Sequence, residues 1–245
     1  VLIDFGLARE GAGATLTLIP EEFGHRPIPF KAITDTLAGA IIKRLALGKR
    51  HGVAVIAEGV VEGIDPGELE GVDGVERDPH GNLRIAEVAI GGILKQAVQA
   101  RLKEFGLKAT VVAKDIGYEL RCADPIPYDV EYARDLGYCA AKYLLSGGHG
   151  VMVSMQGGEF VPIPFADLVD PATGRTRIRY VNIRSTRYAI ARRYMIRLRR
   201  DDFANPHEIA RFAAVAHLSL EQFRDQFEFL VQDEPPALDF LPQGG

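Results

Sequence analysis

Residues 109–155, ATVVAKDIGYELRCADPIPYDVEYARDLGYCAAKYLLSGGHGVMVSM, hold the succession of strand, turn, helix and strand on which the fold reading rests. Ala109–Ala113 (ATVVA) is a short apolar run with β-branched residues, which reads as a buried strand. The polar turn KDIGYELRCADPIPYD follows it. Tyr132, Leu136, Cys139 and Tyr143 then recur at helical spacing. Beyond them, Val151–Met155 and Glu159–Ile163 flank Gly157–Gly158, the pattern of a hairpin whose turn needs positive φ.

Working outward, the opening VLIDFGLAREGAGATLTLIPEEF reads as the end of a helix, a glycine-containing turn and a strand over Thr15–Pro20. Phe30, Ile33, Leu37, Ile41 and Leu45 form the stripe of an amphipathic helix ending at Gly48. Gly52–Glu58 (GVAVIAE) reads as a second buried strand, and 59–82, rich in glycine and proline, as a loop. Ile90, Leu94, Val98, Leu102 and Phe105 mark another helix. Ile209, Phe212, Ala216, Leu220, Phe223, Phe227 and Leu230 mark one C-terminal helix, with a turn-rich tail after it. Strands alternating with helices predict an α/β layered fold with mainly parallel strands. The division expected is an α/β portion over 1–200 and a C-terminal helix with its tail over 201–245.

The 245 residues are 47% hydrophobic and 25% charged, the balance of an ordinary globular chain. A net charge of −4 gives no general attraction to nucleic acid or anionic lipid. Cys122 and Cys139 form neither a disulfide framework nor a CxxC motif. With no long apolar run and no signal-peptide pattern, the chain is expected to be cytoplasmic. It starts at Val1, which predicts a fragment of a longer protein.

In a layered α/β fold, ligands bind at the carboxyl ends of the strands. That singles out Glu58, the turn from Lys114 to Asp129, and the glutamates of Pro20–Glu22. An isolated strand-terminal glutamate such as Glu58 is more often a turn or N-cap carboxylate than a ligand-binding group. Lys108, Lys114 and Arg121, with the Tyr118 phenol, surround one strand end. Arginine is the natural bidentate partner of a phosphate and a tyrosine hydroxyl can orient a sugar oxygen, while a solvated basic loop is the other reading. Ten arginines between Arg175 and Arg200 form a local basic excess. Without an aromatic platform or zinc-finger spacing, this run reads as a solvated helix or a subunit contact rather than a nucleic-acid surface. The six histidines show no metal-binding spacing, and DPHGN (78–82) lacks the EF-hand pattern, so no metal site is expected in the chain.

The stretch KATVVAKDIGYELRCADPIPYDVEYARDLGYCAAKYLLSGGHGVMVSMQGGEFVPIPF (108–165), with AVIAEGV (54–60) and LIPEEF (18–23), resembles the C-terminal half of the phosphofructokinases. The resemblance covers roughly residues 10–200. It implies a layered, Rossmann-like phosphofructokinase fold, here its sugar-phosphate-binding half with C-terminal helices. It also implies phosphoryl transfer to the 1-hydroxyl of fructose 6-phosphate, with Mg²⁺ as cofactor, in a homo-oligomer. By the same resemblance Glu58 hydrogen-bonds sugar hydroxyls and Arg121 holds the 6-phosphate. Lys108 falls where many members carry an arginine that enters the neighbouring subunit's site. Tyr118 stands where ATP-dependent bacterial members carry a histidine, and Asp115, Tyr118 and Arg121 (D-x-x-Y-x-x-R) look like the pyrophosphate-dependent branch, with ATP as the other donor. The family's glycine-rich donor loop, its T-I-D-N-D-like catalytic segment and its M-G-R segment do not occur in the sequence. No catalytic residue is therefore expected within it. The alternative is a noncatalytic regulatory or assembly subunit of the same fold.

Overall fold

Leu16–Leu18 (β2) and Gly52–Ile56 (β3) are short apolar runs too brief to nucleate helices. They pair in parallel, Leu16 opposite Ala54 and Leu18 opposite Ile56. The computed structural model describes residues 2–5, 14–24, 27–69, 90–114, 124–172, 174–177 and 180–235. Leu2–Phe5 (β1) and Val111–Lys114 (β4) complete a four-stranded sheet of order β2-β3-β1-β4. β1 is antiparallel to both of its neighbours, so β2, β3 and β4 share one direction. The expected parallel set is present, but the opening residues are a strand rather than the end of a helix. LIDF is one turn's worth of chain, and pairing on both sides satisfies its backbone as an isolated helical turn would not.

The helices arise where the apolar stripes lie. Phe30–Ala46 (α1) ends with Lys43 and Arg44 in its last turn and with Gly48 at φ 73°. Glu58–Glu62 (α2) is a short helix where a loop was expected, so Glu58 opens a helix instead of closing the strand. Ile90–Glu104 (α3) closes with Gly106 at φ 70°, and the Leu107 N–H donates to the Leu102 carbonyl at 3.0 Å. Ile33, Ile42, Leu94 and Val98 fill the layer between these helices and the sheet.

The predicted single C-terminal helix is two helices and a 3₁₀ turn: Pro206–Val215, Leu220–Phe227 and Glu228–Val231. His217, at φ 53°, breaks it, and its Nδ1 lies 2.7 Å from the Phe105 carbonyl oxygen. Ser219 then restarts the helix by accepting the Gln222 N–H at 3.1 Å. Breaking the helix lets Phe212, Phe223 and Phe227 face the same core; the rings of the last two lie 4.9 Å apart. Beside them, Arg101 of α3 donates from Nε to the wholly buried Asp35 of α1 at 2.7 Å. Lys31 also bonds Asp35, and the Arg101 guanidinium lies 4.7 Å from the Phe105 ring centre and 5.7 Å from that of Phe227.

The chain divides into two compact units, Val1–Ile116 with Val181–Gly245, and Gly117–Tyr180. In the second, Pro127–Leu145 forms a 19-residue helix (α4) whose start is capped by Asp129 accepting the Ile126 N–H at 3.1 Å. Val151–Gln156 (β5) and Glu159–Pro164 (β6) form the expected hairpin, with Gly157 and Gly158 at φ 60° and 89°. No helix among the described residues is long and apolar enough to cross a membrane.

Candidate functional site at the carboxyl ends of β2 and β3

The Ala57 N–H donates to the Leu18 carbonyl at 3.0 Å, so β2 and β3 leave the sheet side by side. β2 runs into a 3₁₀ turn, Pro20–Phe23, and β3 into α2. The two turns are tightly apposed: a Cβ on Gly59 would stand 3.2 Å from the Pro20 ring. A side chain at position 59, next to Glu58, would crowd that ring. This brings the backbone of Glu58 beside the glutamates of the PEE segment.

Those glutamates are engaged by the arginine-rich segment. Glu21 accepts the Val181 N–H at 2.8 Å through Oε1, while its buried Oε2 has no hydrogen-bond partner among the described residues. The Glu22 carboxylate, 3% exposed, accepts from Arg197 Nη1 at 2.9 Å on both oxygens. Arg192 Nη1 approaches it at 3.4 Å, and the Tyr188 hydroxyl donates to it. Arg192 also reaches Glu234 through Nη2 at 3.2 Å. The carbonyl of Arg197 accepts from Lys43 Nζ at 2.9 Å, and the same ammonium pairs with Asp202 at 2.6 Å. Burial pushes the Lys43 ammonium below its ordinary value, with Asp202 opposing the shift.

The basic run is therefore only in part a solvated face: Arg175, Arg177, Arg184, Arg187, Arg193 and Arg200 are exposed, while other members turn inward. Arg192 and Arg197 are buried and spend their charge on internal carboxylates, and Arg199 uses Nη2 on the carbonyls of Arg192 and Met195 at 3.0 and 2.8 Å. The run itself and the PEE motif are visible in the sequence. Their pairing, across about 170 residues, is a product of the tertiary fold. Two cavities adjoin this cluster, sharing Tyr188, Arg192 and Glu234 as a partition. One, of about 310 Å³, is floored by Phe229 and Leu230; the other, of about 640 Å³, is edged by Arg193 and Arg200.

Tyr188 supplies a test of this arrangement. Burial, and then the neighbouring Glu22 charge, hold its phenol well above the ordinary value of 10.0. The folded state thus keeps a proton that the unfolded chain releases, and the stabilisation is complete below pH 10 and lost as pH rises above it. Wild type should lose up to ~1.4 kcal/mol per pH unit more than Tyr188→Phe above that point. Urea unfolding of both proteins from pH 8 to 11 measures this, and parallel curves would show that the phenol titrates normally.

Of the sequence-derived residues, Lys108 is exposed and precedes β4, at the opposite end of the sheet from Glu58. The structure does not bring these two together within one copy. Tyr118, Arg121 and Asp115 lie outside the described residues, as do Cys122 and DPHGN. Among the described residues no three histidine, cysteine or acidic side chains gather to hold a metal ion, so no described residue is assigned to Mg²⁺.

No family model matches the chain. It is 44% identical over 223 residues to a pyrophosphate–fructose 6-phosphate 1-phosphotransferase from Thermotoga maritima, covering 89% of the chain and 53% of that protein. A protein of the same name from Naegleria fowleri is 42% identical over 232 residues, covering 91% of the chain and 53% of the relative. An ATP-dependent 6-phosphofructokinase from Amycolatopsis methanolica is 29% identical over 154 residues, 62% of the chain and 32% of the relative. The chain thus spans about half the length of the first two relatives. With identity this high sustained along nine-tenths of its residues, the chain belongs to the phosphofructokinase family.

Proposed function

We propose that the chain forms the sugar-phosphate-binding part of a 6-phosphofructokinase that uses pyrophosphate, with ATP as the alternative donor. The observation that carries this reading is the 44% identity to the Thermotoga maritima pyrophosphate–fructose 6-phosphate 1-phosphotransferase. The enzyme transfers a phosphoryl group to the 1-hydroxyl of fructose 6-phosphate in the cytoplasm. Glu58 accepts hydrogen bonds from sugar hydroxyls at the carboxyl end of β3. Arg121 holds the 6-phosphate, and Tyr118 contributes its phenol. β3 and β4 run in the same direction, so Glu58 and Lys114 stand at strand ends on the same side of the sheet. Lys108, at the other end, serves a neighbouring subunit of a homo-oligomer. Mg²⁺ acts with the donor, held by residues other than those described.

In the active enzyme, Arg121→Ala should weaken fructose 6-phosphate binding about 10- to 150-fold, the worth of a charge-assisted contact of roughly 1.5–3 kcal/mol. Pyrophosphate affinity should stay the same. Calorimetric titration of both ligands tests this, and unchanged sugar-phosphate affinity removes Arg121 from the site.

A further inference from the structure

Arg192–Arg193 and Arg199–Arg200 are two adjacent pairs on either side of the turn that ends the helix Thr186–Tyr194. Arg199 closes that turn: its Nη2 donates to the carbonyls of Arg192 at 3.0 Å, of Met195 at 2.8 Å and of Arg193. These are the carbonyls a helix end leaves free, so the side chain acts as a cap. Arg200 caps the C-terminal 3₁₀ turn in the same way, its Nη2 donating to the carbonyls of Gln232 and Glu234 at 2.9 and 3.0 Å. Among the described residues the ion pairs of 186–200 belong to Arg192, Arg193 and Arg197. Neither capping guanidinium is paired with a carboxylate.

Arg192, Arg193, Arg199 and Arg200 all line the cavity of about 640 Å³, and only Asp201 and Glu234 oppose them in its wall. Glu234 is already committed to Arg192, and Asp201 lies 3.7 Å from Arg193 in a pair open to solvent on both sides. Such an exposed pair holds neither charge firmly. The wall thus carries an excess of positive charge. Burial, and next the Arg193 charge, push the Arg199 guanidinium below its ordinary value, and its buried Nε has no hydrogen-bond partner among the described residues. An anion beside Arg193 and Arg200 would turn this mutual repulsion into a shared attraction.

The rest of the wall is apolar or aromatic. Ile190, Tyr194 and Pro235 face the cavity, and Tyr194 is 82% exposed although it neighbours this buried cluster. The volume lies in the range of small-molecule sites, roughly 300–1,000 Å³, and exceeds what a bare oxyanion fills. A guanidinium fork matches a phosphate, and an aromatic ring offers its face to a flat apolar group. We propose that this cavity binds a small phosphate monoester with a flat apolar body, its phosphate on Arg193 and Arg200 and its body against Tyr194 and Ile190. None of these residues is one assigned to fructose 6-phosphate, so the site stands apart from that reading.

Calorimetric titration of the Arg121→Ala chain with phenyl phosphate and with inorganic phosphate tests the site, the substitution keeping the sugar-phosphate turn out of the measurement. One phenyl phosphate should bind per chain, about tenfold tighter than inorganic phosphate, the worth of one aromatic contact. Adding Arg193→Gln should weaken phenyl phosphate about tenfold or more while leaving thermal unfolding unchanged, because that side chain is 70% exposed. Adding Tyr194→Ala instead should abolish the preference for phenyl phosphate and leave inorganic phosphate as it was. Should the Arg193 variant misfold, the Tyr194 comparison decides alone. The proposal is overturned if phenyl phosphate shows no saturable binding, if the two anions bind equally to the parent chain, or if Arg193→Gln changes nothing. It is also overturned if phenyl phosphate binds the wild type but not Arg121→Ala, a result that would leave the sugar-phosphate reading intact.

Discussion

Purified residues 1–245, assayed with fructose 6-phosphate, Mg²⁺ and either pyrophosphate or ATP, should give no turnover above background. Phosphoryl transfer draws nearly all its acceleration from a positioned donor, neutralised charge on the transferring group and a proton acceptor for the hydroxyl. The buried Arg192 and Arg197, cations of the kind that neutralise a donor, are already bound to Glu22 and Glu234. No group of three potential metal ligands is gathered among the described residues. An acceptor pocket alone forfeits these contributions, so the loss is expected to be total rather than partial. A coupled assay at saturating substrate decides it, with Arg121→Ala as the control for contaminating host enzyme. Turnover that disappears in that control would place a complete donor site within these residues.

Arg101→Ala should lower the unfolding free energy by about 3–5 kcal/mol, the largest stability effect expected in the chain. The substitution strands Asp35, which is wholly buried, with only the mostly exposed Lys31 as partner. It also removes a guanidinium from the faces of Phe105 and Phe227, and with it the hydrogen bond to Gln226. Arg101 therefore ties α1, α3 and the Leu220–Phe227 helix together at one point. Denaturant unfolding would register the change as a lower midpoint at constant slope. Replacing both charges, Asp35→Leu with Arg101→Met, should recover much of the loss, because the penalty comes from an unpaired buried charge more than from the absence of the pair. A loss below about 1 kcal/mol in the single variant would mean that water reaches Asp35 and that the pair is not buried in solution.

What the residues alone determine is the local structure and the chemistry available. The apolar stripe from Phe30 to Leu45 can bury itself only as a helix, and Gly157–Gly158 can supply the positive φ of a tight hairpin without strain, so both are legible in order along the chain. Arg121 and Glu58 stand out for the same reason: their types, next to strand ends, suit a phosphate and a hydroxyl. The tertiary structure decides everything that depends on distant partners. LIDF carries no sign that it will be paired on both sides, because a four-residue strand has no stable conformation until β3 and β4 flank it. His217 takes a left-handed turn to swing Phe223 and Phe227 onto Phe212, a compromise set by the shape of the core. Within the basic run, Arg192 and Arg197 cannot be told in sequence from their exposed neighbours, because their counter-charges, Glu22 and Glu234, lie far from them in sequence or beyond the run. Only when Tyr188, Arg192 and Arg197 are folded over the end of β2 does desolvation make those pairings obligatory, and a helical wheel cannot contain that energy.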